Sequence, residues 1–382
     1  MSNFRILNRQ KTFCPNKQPT GIDIFCRVID NFGDAGVLWR IARELKKSGY
    51  AVRFIVDEPE TLARLAGFEA QTPTPALGEK TGITVFRWER SWDEGACSLS
   101  PSEVVIEGFA CRLPPAFELA MAEQKRPPLW INVDYFSAED WVDSYHGQVS
   151  IHPQLGLKKY FFFPGVSPNS GGLTIEKDYL EQEKRYGGTA RREGEPFRVF
   201  FFAYPYGPIK ELALAFLQCA APLTVSCAMG EAGQKLFECL SKPHSESVCA
   251  SRLSFVEQER FDRLLWNNDI LFVRGEDSVA RAMLSGKPFI WHIYHQDDGA
   301  HRTKLEALTE KMRPYFDDEA LFELWRRFQY EYNEGRVDAV AWKALLQGYP
   351  DWAQSTLRWR QRLFENGSLT SKLSEMIKNT LK

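Results

Sequence analysis

The chain is organised around the stretch Ile24-Phe25-Cys26-Arg27-Val28-Ile29-Asp30-Asn31-Phe32-Gly33-Asp34-Ala35-Gly36. An apolar run ends in two aspartates spaced four apart, and an amphipathic helical pattern follows over Val37–Leu45. This order predicts a strand, a glycine-containing turn and a helix, the opening unit of a doubly wound α/β domain. Loops at the carboxyl ends of such strands line the ligand crevice, so Asp30 and Asp34 are expected at the mouth of a cleft.

Two interpretations of these aspartates stay open at this point. Gly33 and Gly36 form neither a dinucleotide fingerprint nor a Walker A loop, so the turn is not a recognised phosphate-binding motif. One interpretation is a catalytic pair of carboxylates beside a flexible backbone. The other is structural: Asp34 caps the helix and Asp30 is a solvated turn residue.

The composition is that of a globular protein and narrows the functional classes. The chain has 382 residues, of which 44% are hydrophobic and 26% charged, and its net charge is −2. This balance gives no basic footprint for nucleic acid or an anionic membrane, and no apolar run is long enough to span a bilayer. The leader 1–20 lacks an apolar core, so we expect a flexible extension and not a secretory signal.

The cysteines and histidines show no metal-site pattern. The eight cysteines form no Cys-x-x-Cys pair, and several lie in apolar segments. Such thiols are typical of a reducing compartment, so a cytoplasmic protein is expected. His292 and His295 lie three apart on a predicted strand and point to opposite faces, which argues against a shared metal ion.

Strands and helices alternate in two blocks, which predicts two α/β domains with parallel sheets and a ligand cleft between them. The blocks are 21–190 and 195–350, separated by a break rich in glycine and charge. The strands of the second block are predicted at Phe197–Ala203, Leu223–Cys227, Arg252–Val256, Ile270–Val273 and Pro288–Ile293. Helices follow over 351–382, and the segment Trp352–Phe364 is expected to pack back on the first domain.

The second block offers a candidate anion site where a strand ends. An apolar run continues into Arg274-Gly275-Glu276-Asp277-Ser278 and then into a helical pattern. A helix N-terminus binds phosphate through its free N–H groups, and Gly275 lets the backbone approach a ligand closely. Asp277 or Ser278 is predicted as the N-cap, which leaves Glu276 to accept hydrogen bonds from ligand hydroxyls. The structural alternative is a plain capped helix.

Aromatic and polar side chains near strand ends of the same block are candidates for holding a planar base. Core packing is the alternative for any single phenylalanine. The candidates are Phe202, Tyr204, Phe255, Gln258, Phe261 and Tyr294.

Four motifs occur in order along the chain: Cys26–Asp34, Ser170–Leu173, Arg274–Ser278, and Trp291–Tyr294 with Gln296-Asp297. Together they resemble the elongation factor P arginine rhamnosyltransferases (the EarP family), from about Ile22 to the C-terminus. The resemblance implies a GT-B glycosyltransferase with two Rossmann-like domains. Such an enzyme would be inverting and metal-independent, without a cofactor, and would use dTDP-β-L-rhamnose as donor. Its acceptor would be an arginine at the tip of a loop in elongation factor P.

The resemblance also implies which residues act on the acceptor. Asp34 would be the catalytic base, with Asp30 supporting it. A guanidinium, whose pKa lies above about 12, is a poor nucleophile until a carboxylate orients it and takes a proton. The acceptor or sugar side would be formed by Asn31, Phe32 and Gly33.

The same resemblance assigns the donor to the second domain. Phe202 and Phe261 would sandwich thymine, and Gln258 would hydrogen-bond its edge. The ribose and diphosphate end would involve Glu276, Asp277 and Ser278, with Phe255, Tyr204, Arg274 and Tyr294 nearby.

Other functional classes stay open from the sequence. A heptosyltransferase-like or sugar-nucleotide epimerase-like GT-B enzyme would share the diphosphate-binding helix but differ in its acceptor. A non-catalytic protein that binds a nucleotide or a translation factor is the third class, and donor turnover would separate it from the enzymes.

Overall fold

The computed structural model of the chain describes residues 19–29, 32–241 and 247–381. The leader predicted at 1–20 therefore lies almost wholly outside the described residues, and Asp30 and Asn31 lie outside them as well. Within the described ranges, no helix is both long and apolar enough to cross a membrane.

The first half of the chain forms a seven-stranded sheet in the order β3-β2-β1-β4-β5-β7-β6. Its strands are β1 (Gly21–Cys26), β2 (Ala51–Val56), β3 (Thr84–Arg87), β4 (Val104–Gly108), β5 (Leu129–Val133), β6 (Val149–Ile151) and β7 (Lys158–Phe162). All neighbours are parallel except β6 and β7. The helices of this half are α1 (Gly33–Lys47), α2 (Pro59–Leu65), α3 (Thr74–Thr81), α4 (Pro115–Glu123), α5 (Trp141–Tyr145) and α6 (Tyr179–Tyr186).

The second half forms a five-stranded, wholly parallel sheet in the order β10-β9-β8-β11-β12. Its strands are β8 (Phe197–Phe201), β9 (Leu223–Cys227), β10 (Val248–Arg252), β11 (Ile270–Arg274) and β12 (Phe289–His292). Its helices are α7 (Ile209–Gln218), α8 (Glu231–Ser241), α9 (Gln258–Trp266), α10 (Gly275–Ser285), α11 (Ala300–Met312), α12 (Glu319–Asn333) and α13 (Ala339–Gln347). The chain ends in α14 (Tyr349–Glu365) and α15 (Leu369–Thr380).

These two sheets confirm the predicted α/β class with two Rossmann-like domains. The helices α1 and α10 each start at the carboxyl end of a central strand, β1 and β11. Residues from the first turns of both helices line the same cavity, so the two helix starts face each other across the interdomain cleft. Ligand crevices of open α/β sheets occur at this kind of position.

The prediction for the C-terminal helices was wrong in one respect. The buried side chains of α14, Trp352, Trp359 and Leu363, belong to the core cluster built on the second sheet. The return to the first domain is made by α15, whose Leu369 and Ile377 belong to the core of the first sheet. The apolar spacing in Trp352–Phe364 identified a buried helix face, but such a pattern cannot say which sheet covers it.

One predicted strand of the second domain was also shifted. The strand expected at Arg252–Val256 is β10, which spans Val248–Arg252, and the apolar residues after it form a loop. Among the described strands, β10 pairs with β9 and lies at the sheet edge. Its side chains are therefore largely exposed, and such a strand cannot be recognised from a run of apolar residues. The apolar loop, which includes Phe255, lines a cavity instead.

Candidate active site

Two cavities meet between the domains at the carboxyl ends of the sheets. The aromatic pocket has a volume of about 180 Å³ and is lined by Phe32, Phe202, Phe255, Gln258, Phe261, Arg274 and Ser278, among others. The central cleft has a volume of about 480 Å³ and is lined by Ile29, Asp34, Phe109, Tyr135, Tyr294 and Lys304, among others. Both cavities share Gly33, Tyr204, Gly275, Glu276 and Asp277. The structure thus brings together every described residue of the predicted site.

Asp34 lies in the first turn of α1 and faces the central cleft. Its Oδ2 accepts a hydrogen bond from the Ile29 N–H at 2.8 Å, and its Oδ1 accepts one from the Tyr135 hydroxyl at 3.0 Å. The helix begins one residue earlier with Phe32 as its N-cap, so the capping interpretation of Asp34 was wrong. The carboxylate is held by these donors, among others, and lines the cleft, as a general base must.

Tyr135 was missed by the sequence analysis although it contacts Asp34 directly. It follows β5, and its ring stacks on Phe109, which follows β4, with centroids 4.3 Å apart. Burial, followed by the charge of Asp34, raises the pKa of Tyr135, so the hydroxyl stays protonated and donates to the carboxylate. The available signal was position: β4 lies beside β1 and β5 lies beside β4 in the parallel sheet, so residues after both strands reach the same cleft.

The loop that carries Phe109 has an unusual backbone. Phe109, Ala110 and Arg112 adopt positive φ angles of 54°, 51° and 60°. Buried acceptors hold this conformation: Asn132 Oδ1 accepts from the Ala110 N–H, and Glu107 Oε1 accepts from the Arg112 N–H. Non-glycine residues keep such angles only where the surroundings enforce them, and this strain is concentrated beside the cleft.

Two phenylalanines of the aromatic pocket meet edge to face. The ring centroids of Phe202 and Phe261 are 6.1 Å apart, and their planes are inclined by 66°. A base sandwiched between them would need the planes to become parallel, so the predicted sandwich requires one ring to rotate. The ring centroid of Phe255 lies 5.2 Å from that of Phe32 in the first domain, so this pair closes the pocket across the domain boundary.

Gln258 lies at the inner wall of this pocket and spans the domains. Its Nε2 donates to the main-chain oxygen of Gly36 at 2.7 Å, while its buried Oε1 has no hydrogen-bond partner among the described residues. A buried acceptor without a partner is costly, so a ligand N–H group that reaches it would be bound well. The imide N–H of a thymine edge has this chemistry.

Arg274 lines the aromatic pocket next to Gly275, which both cavities share. Its guanidinium lies 4.5 Å from the ring centroid of Phe202 and 4.8 Å from that of Tyr204, and it makes no ion pair with any described residue. Next to it, Gly275 has a φ of 65°, which the sharp turn from strand to helix requires and which favours glycine.

The helix α10 begins at Gly275 with Arg274 as its N-cap, so the prediction of Asp277 or Ser278 as N-cap was wrong. Glu276, Asp277 and Ser278 instead occupy the first turn, where their side chains line the aromatic pocket. The reason is the glycine, which lets the helix start directly at the strand end. Free N–H groups of this first turn are available to an anion.

Glu276 is the most perturbed carboxyl group of the cleft. Its side chain keeps 24% of its surface exposed, and Oε1 accepts from Lys304 Nζ at 3.1 Å. Enclosure by the cleft walls outweighs this partner and raises its pKa from 4.5 to about 7. Its Oε2 has no partner among the described residues. A carboxyl group poised in this way is typical of functional sites.

The buried histidine near the cleft fixes a residue of the cleft lining. His292 is buried, and its Nδ1 accepts a hydrogen bond from the Tyr204 N–H at 3.1 Å, so it fixes a lining residue. Burial, followed by the charge of Arg274, lowers the pKa of His292 to about 3, which keeps the ring neutral. Tyr294 is exposed at the cleft, 5.7 Å from the Tyr204 ring. Within the described ranges, no cluster of histidine, cysteine and acidic side chains is arranged to hold a metal ion.

The chain is similar to known proteins over most of its length. Residues 22–378 match the model of a family described as elongation factor P (EF-P) rhamnosyltransferase EarP. The chain belongs to this family. The protein-arginine rhamnosyltransferase of Pseudomonas aeruginosa is 36% identical to it over 88% of this chain and 93% of the relative. The enzyme of the same name from Pseudomonas putida is 35% identical over 94% and 99% of the two chains.

A solved structure shares the fold. It is described as the structural basis for EarP-mediated arginine glycosylation of translation elongation factor EF-P, and it has a TM-score of 0.63 and 24% identity. The match covers 94% of this chain and 99% of the other. With two Rossmann-like domains facing across a cleft, the chain has the GT-B fold, which confirms the predicted fold class.

Proposed function

We propose that this chain is a protein-arginine rhamnosyltransferase that acts on elongation factor P, with dTDP-β-L-rhamnose as the donor. The observation that carries the proposal is the position of Asp34. Its carboxylate is held by Ile29 and Tyr135 and lines the same cleft as the first turn of α10, where the diphosphate of the donor is expected to bind. The family and the names of its relatives support the acceptor. Glu276 and Gln258, each with an oxygen that lacks a partner among the described residues, support a nucleoside donor.

The proposed reaction is a single displacement that inverts the anomeric carbon. A guanidino nitrogen of the acceptor arginine attacks this carbon, the bond from the carbon to the phosphate oxygen breaks, and thymidine diphosphate leaves. The nitrogen loses a proton to Asp34 as the new bond forms. Its carboxylate is fixed by hydrogen bonds from Ile29 and Tyr135 and lines the central cleft, so it is placed to pair with the acceptor guanidinium beforehand.

The leaving diphosphate gains negative charge in the transition state. We propose that Arg274 and the first-turn N–H groups of α10 stabilise this charge without a metal ion or a cofactor. Arg274 suits this role because its guanidinium lies over Phe202 and Tyr204 in the aromatic pocket and forms no ion pair with any described acid.

Intact-mass spectrometry of elongation factor P from the same organism tests the proposal. The factor is incubated with the chain and, in parallel, with dTDP-β-L-rhamnose, dTDP-glucose or a uridine diphosphate sugar. We expect a gain of one deoxyhexose with the first donor only. Transfer from another sugar nucleotide would show that the proposed donor is wrong. Turnover of the donor without any modification of the factor would show that the proposed acceptor is wrong.

The Phe261→Ala variant tests the base-binding role of the aromatic pocket. We expect the KM for dTDP-rhamnose to rise about ten- to hundredfold with little change in kcat, because stacking holds the base and not the reacting carbon. Steady-state kinetics at saturating acceptor measure both constants. Phe237→Ala is a matched control, since this phenylalanine is also half-buried on a helix of the second domain but contacts Arg252 outside the site. An unchanged KM would remove Phe261 from the donor site.

Glu276 makes donor binding sensitive to pH. If its carboxylate accepts hydrogen bonds from the ribose, protonation below its pKa of about 7 should weaken binding. We expect the donor KM to rise by up to about tenfold per pH unit on acidification and to be flat in Glu276→Gln. The nucleotide sugar must be used, because free thymidine diphosphate has a phosphate that titrates in the same range.

The same group has a measurable effect on stability. Since the folded pKa of Glu276 is raised, the stability it contributes is present below about pH 4.5 and is lost as the pH rises through about 7. Glu276→Gln should therefore melt at a higher temperature than the wild type at pH 8, and the gap should narrow towards lower pH. Lys304 and Asp134, which also act on this carboxyl, are present in both proteins. Equal melting temperatures at all pH values would contradict the raised pKa.

A further inference from the structure

Five charged side chains are buried together where the domains meet, behind the aromatic pocket. They are Arg40 on α1, Glu176 before α6, Asp262 on α9, and Asp277 and Arg281 on α10. Arg40 Nη1 lies 2.8 Å from Glu176 Oε1, and Arg281 Nη2 lies 2.8 Å from Glu176 Oε2. Arg281 Nε also donates to Asp262 Oδ1 at 2.8 Å. The group therefore links both domains.

Arg40 is the incompletely bonded member of this group. Its side chain is 2% exposed, yet its Nε and Nη2 have no hydrogen-bond partner among the described residues. Nε lies 3.5 Å from Asp277 Oδ1, which is an ion-pair distance without hydrogen-bond geometry. Buried donors are normally satisfied, so the contact between Arg40 and Asp277 is incomplete in this structure.

Helix α1 also contacts Gln258, another residue of the aromatic pocket on the opposite domain. The main-chain oxygen of Gly36, one turn before Arg40, accepts the 2.7 Å hydrogen bond from Gln258. A Cβ atom at position 36 would lie 3.1 Å from that amide nitrogen, so any other residue here would push the Gln258 amide away by a few tenths of an ångström. Asp277 and Gln258 both line the aromatic pocket, and Arg40 lines it as well.

We propose that Arg40 is a positioning residue for the donor: from the first domain it fixes Asp277 of the second, and its hydrogen bonds to Asp277 are completed when the nucleotide sugar is bound. The inference rests on the proposed function for the identity of the donor. Its physical content is that donor affinity depends on a guanidinium of the acceptor domain that lies outside the reacting centre. Domain approach and donor binding are then coupled, as in other clefts that close on a ligand.

The Arg40→Lys variant is the first test. Lysine keeps the charge but has one nitrogen where arginine has three, so it does not reproduce the separate contacts of Nη1 with Glu176 and of Nε with Asp277. We expect the KM for dTDP-rhamnose to rise about tenfold while kcat stays within about threefold. Arg43→Lys is the matched control, because Arg43 also pairs across the domains, with the exposed Glu259, and should leave both constants unchanged. An unchanged KM in folded Arg40→Lys would overturn the proposal.

A double-mutant cycle separates positioning from general stability. If Arg40 acts through Asp277, Arg40→Lys should raise the KM less than about twofold in the Asp277→Asn background. If the two substitutions instead raise the KM independently, so that their factors multiply in the double variant, the proposal is overturned and the role of Arg40 is purely structural. If Arg40→Lys fails to fold, the double variant Arg40→Gln/Glu176→Gln takes its place in the cycle. It removes one charge of each sign, and the same result is expected.

Calorimetry with thymidine diphosphate distinguishes a failure of this inference from a failure of the proposed donor. If the wild type binds it and Arg40→Lys binds it about tenfold more weakly, both stand. If the wild type binds another nucleoside diphosphate instead, the proposed donor fails, and the tightest-binding nucleotide takes its place in the comparison. Equal affinity of wild type and Arg40→Lys for that nucleotide would overturn the inference alone.

Discussion

Asp34→Asn is expected to reduce rhamnose transfer by about 10³-fold or more, while thymidine diphosphate binds as it does to the wild type. Asparagine keeps the shape and can still accept a hydrogen bond from Ile29 or Tyr135, but it cannot take the proton that the attacking guanidine loses. The donor-binding residues lie on the other domain and should not be affected. Initial rates from mass spectrometry and nucleotide affinity from calorimetry measure the two effects separately.

The control for this variant is Asp57→Asn. Asp57 Oδ1 accepts from the Val28 N–H at 3.0 Å, so it supports the same loop as Asp34, but it lines neither cavity. We expect transfer by Asp57→Asn to stay within about tenfold of the wild type, which is the size of a lost supporting hydrogen bond. Loss of nucleotide binding by Asp34→Asn, or equal losses of transfer in both variants, would show that Asp34 is structural.

Arg274→Met is expected to lower kcat by about 10²-fold. Methionine retains an apolar stem over Phe202 and Tyr204, so the pocket keeps its shape, but the charge that meets the leaving diphosphate is removed. Because this charge matters most when the bond to the diphosphate breaks, the donor KM should change much less than kcat. Steady-state kinetics with varied donor measure both constants.

Arg263→Met is the matched control for Arg274→Met. Arg263 also lies over an aromatic ring, 3.6 Å from the centroid of Tyr186, but it lines neither cavity. Its replacement should leave kcat unchanged. A loss of donor binding without a loss of kcat in Arg274→Met would mean that this arginine holds the ground state and not the leaving group.

The sequence predicted the fold well where periodicity and turn chemistry agree. The helix expected from Val37–Leu45 is α1, and the strand expected at Leu223–Cys227 has those bounds. The exceptions are local: β10 is an edge strand with polar residues, and the partner of the apolar face of α14 depends on the tertiary arrangement. An amphipathic pattern identifies a buried face but not its neighbour.

The candidate site was predictable where several chemical groups stand side by side in the sequence. Asp34 and the run Arg274–Ser278 were found in this way, and the structure brings them to one cleft. Tyr135 and Arg40 were not found, because each is a single residue whose partner lies far along the chain. Tyr135 is 101 residues from Asp34, and Arg40 is 222 residues from Asp262, so only the folded chain joins them.

The central claim is that the chain attaches one rhamnose to an arginine of elongation factor P and that Asp34 drives the attack. Tandem mass spectrometry of the factor, after incubation with dTDP-β-L-rhamnose and either the wild type or Asp34→Asn, tests it most directly. The account predicts fragment ions with one deoxyhexose on a single arginine in the wild-type reaction and an unmodified factor with Asp34→Asn. A deoxyhexose on another type of residue, or equal modification by both proteins, would contradict it.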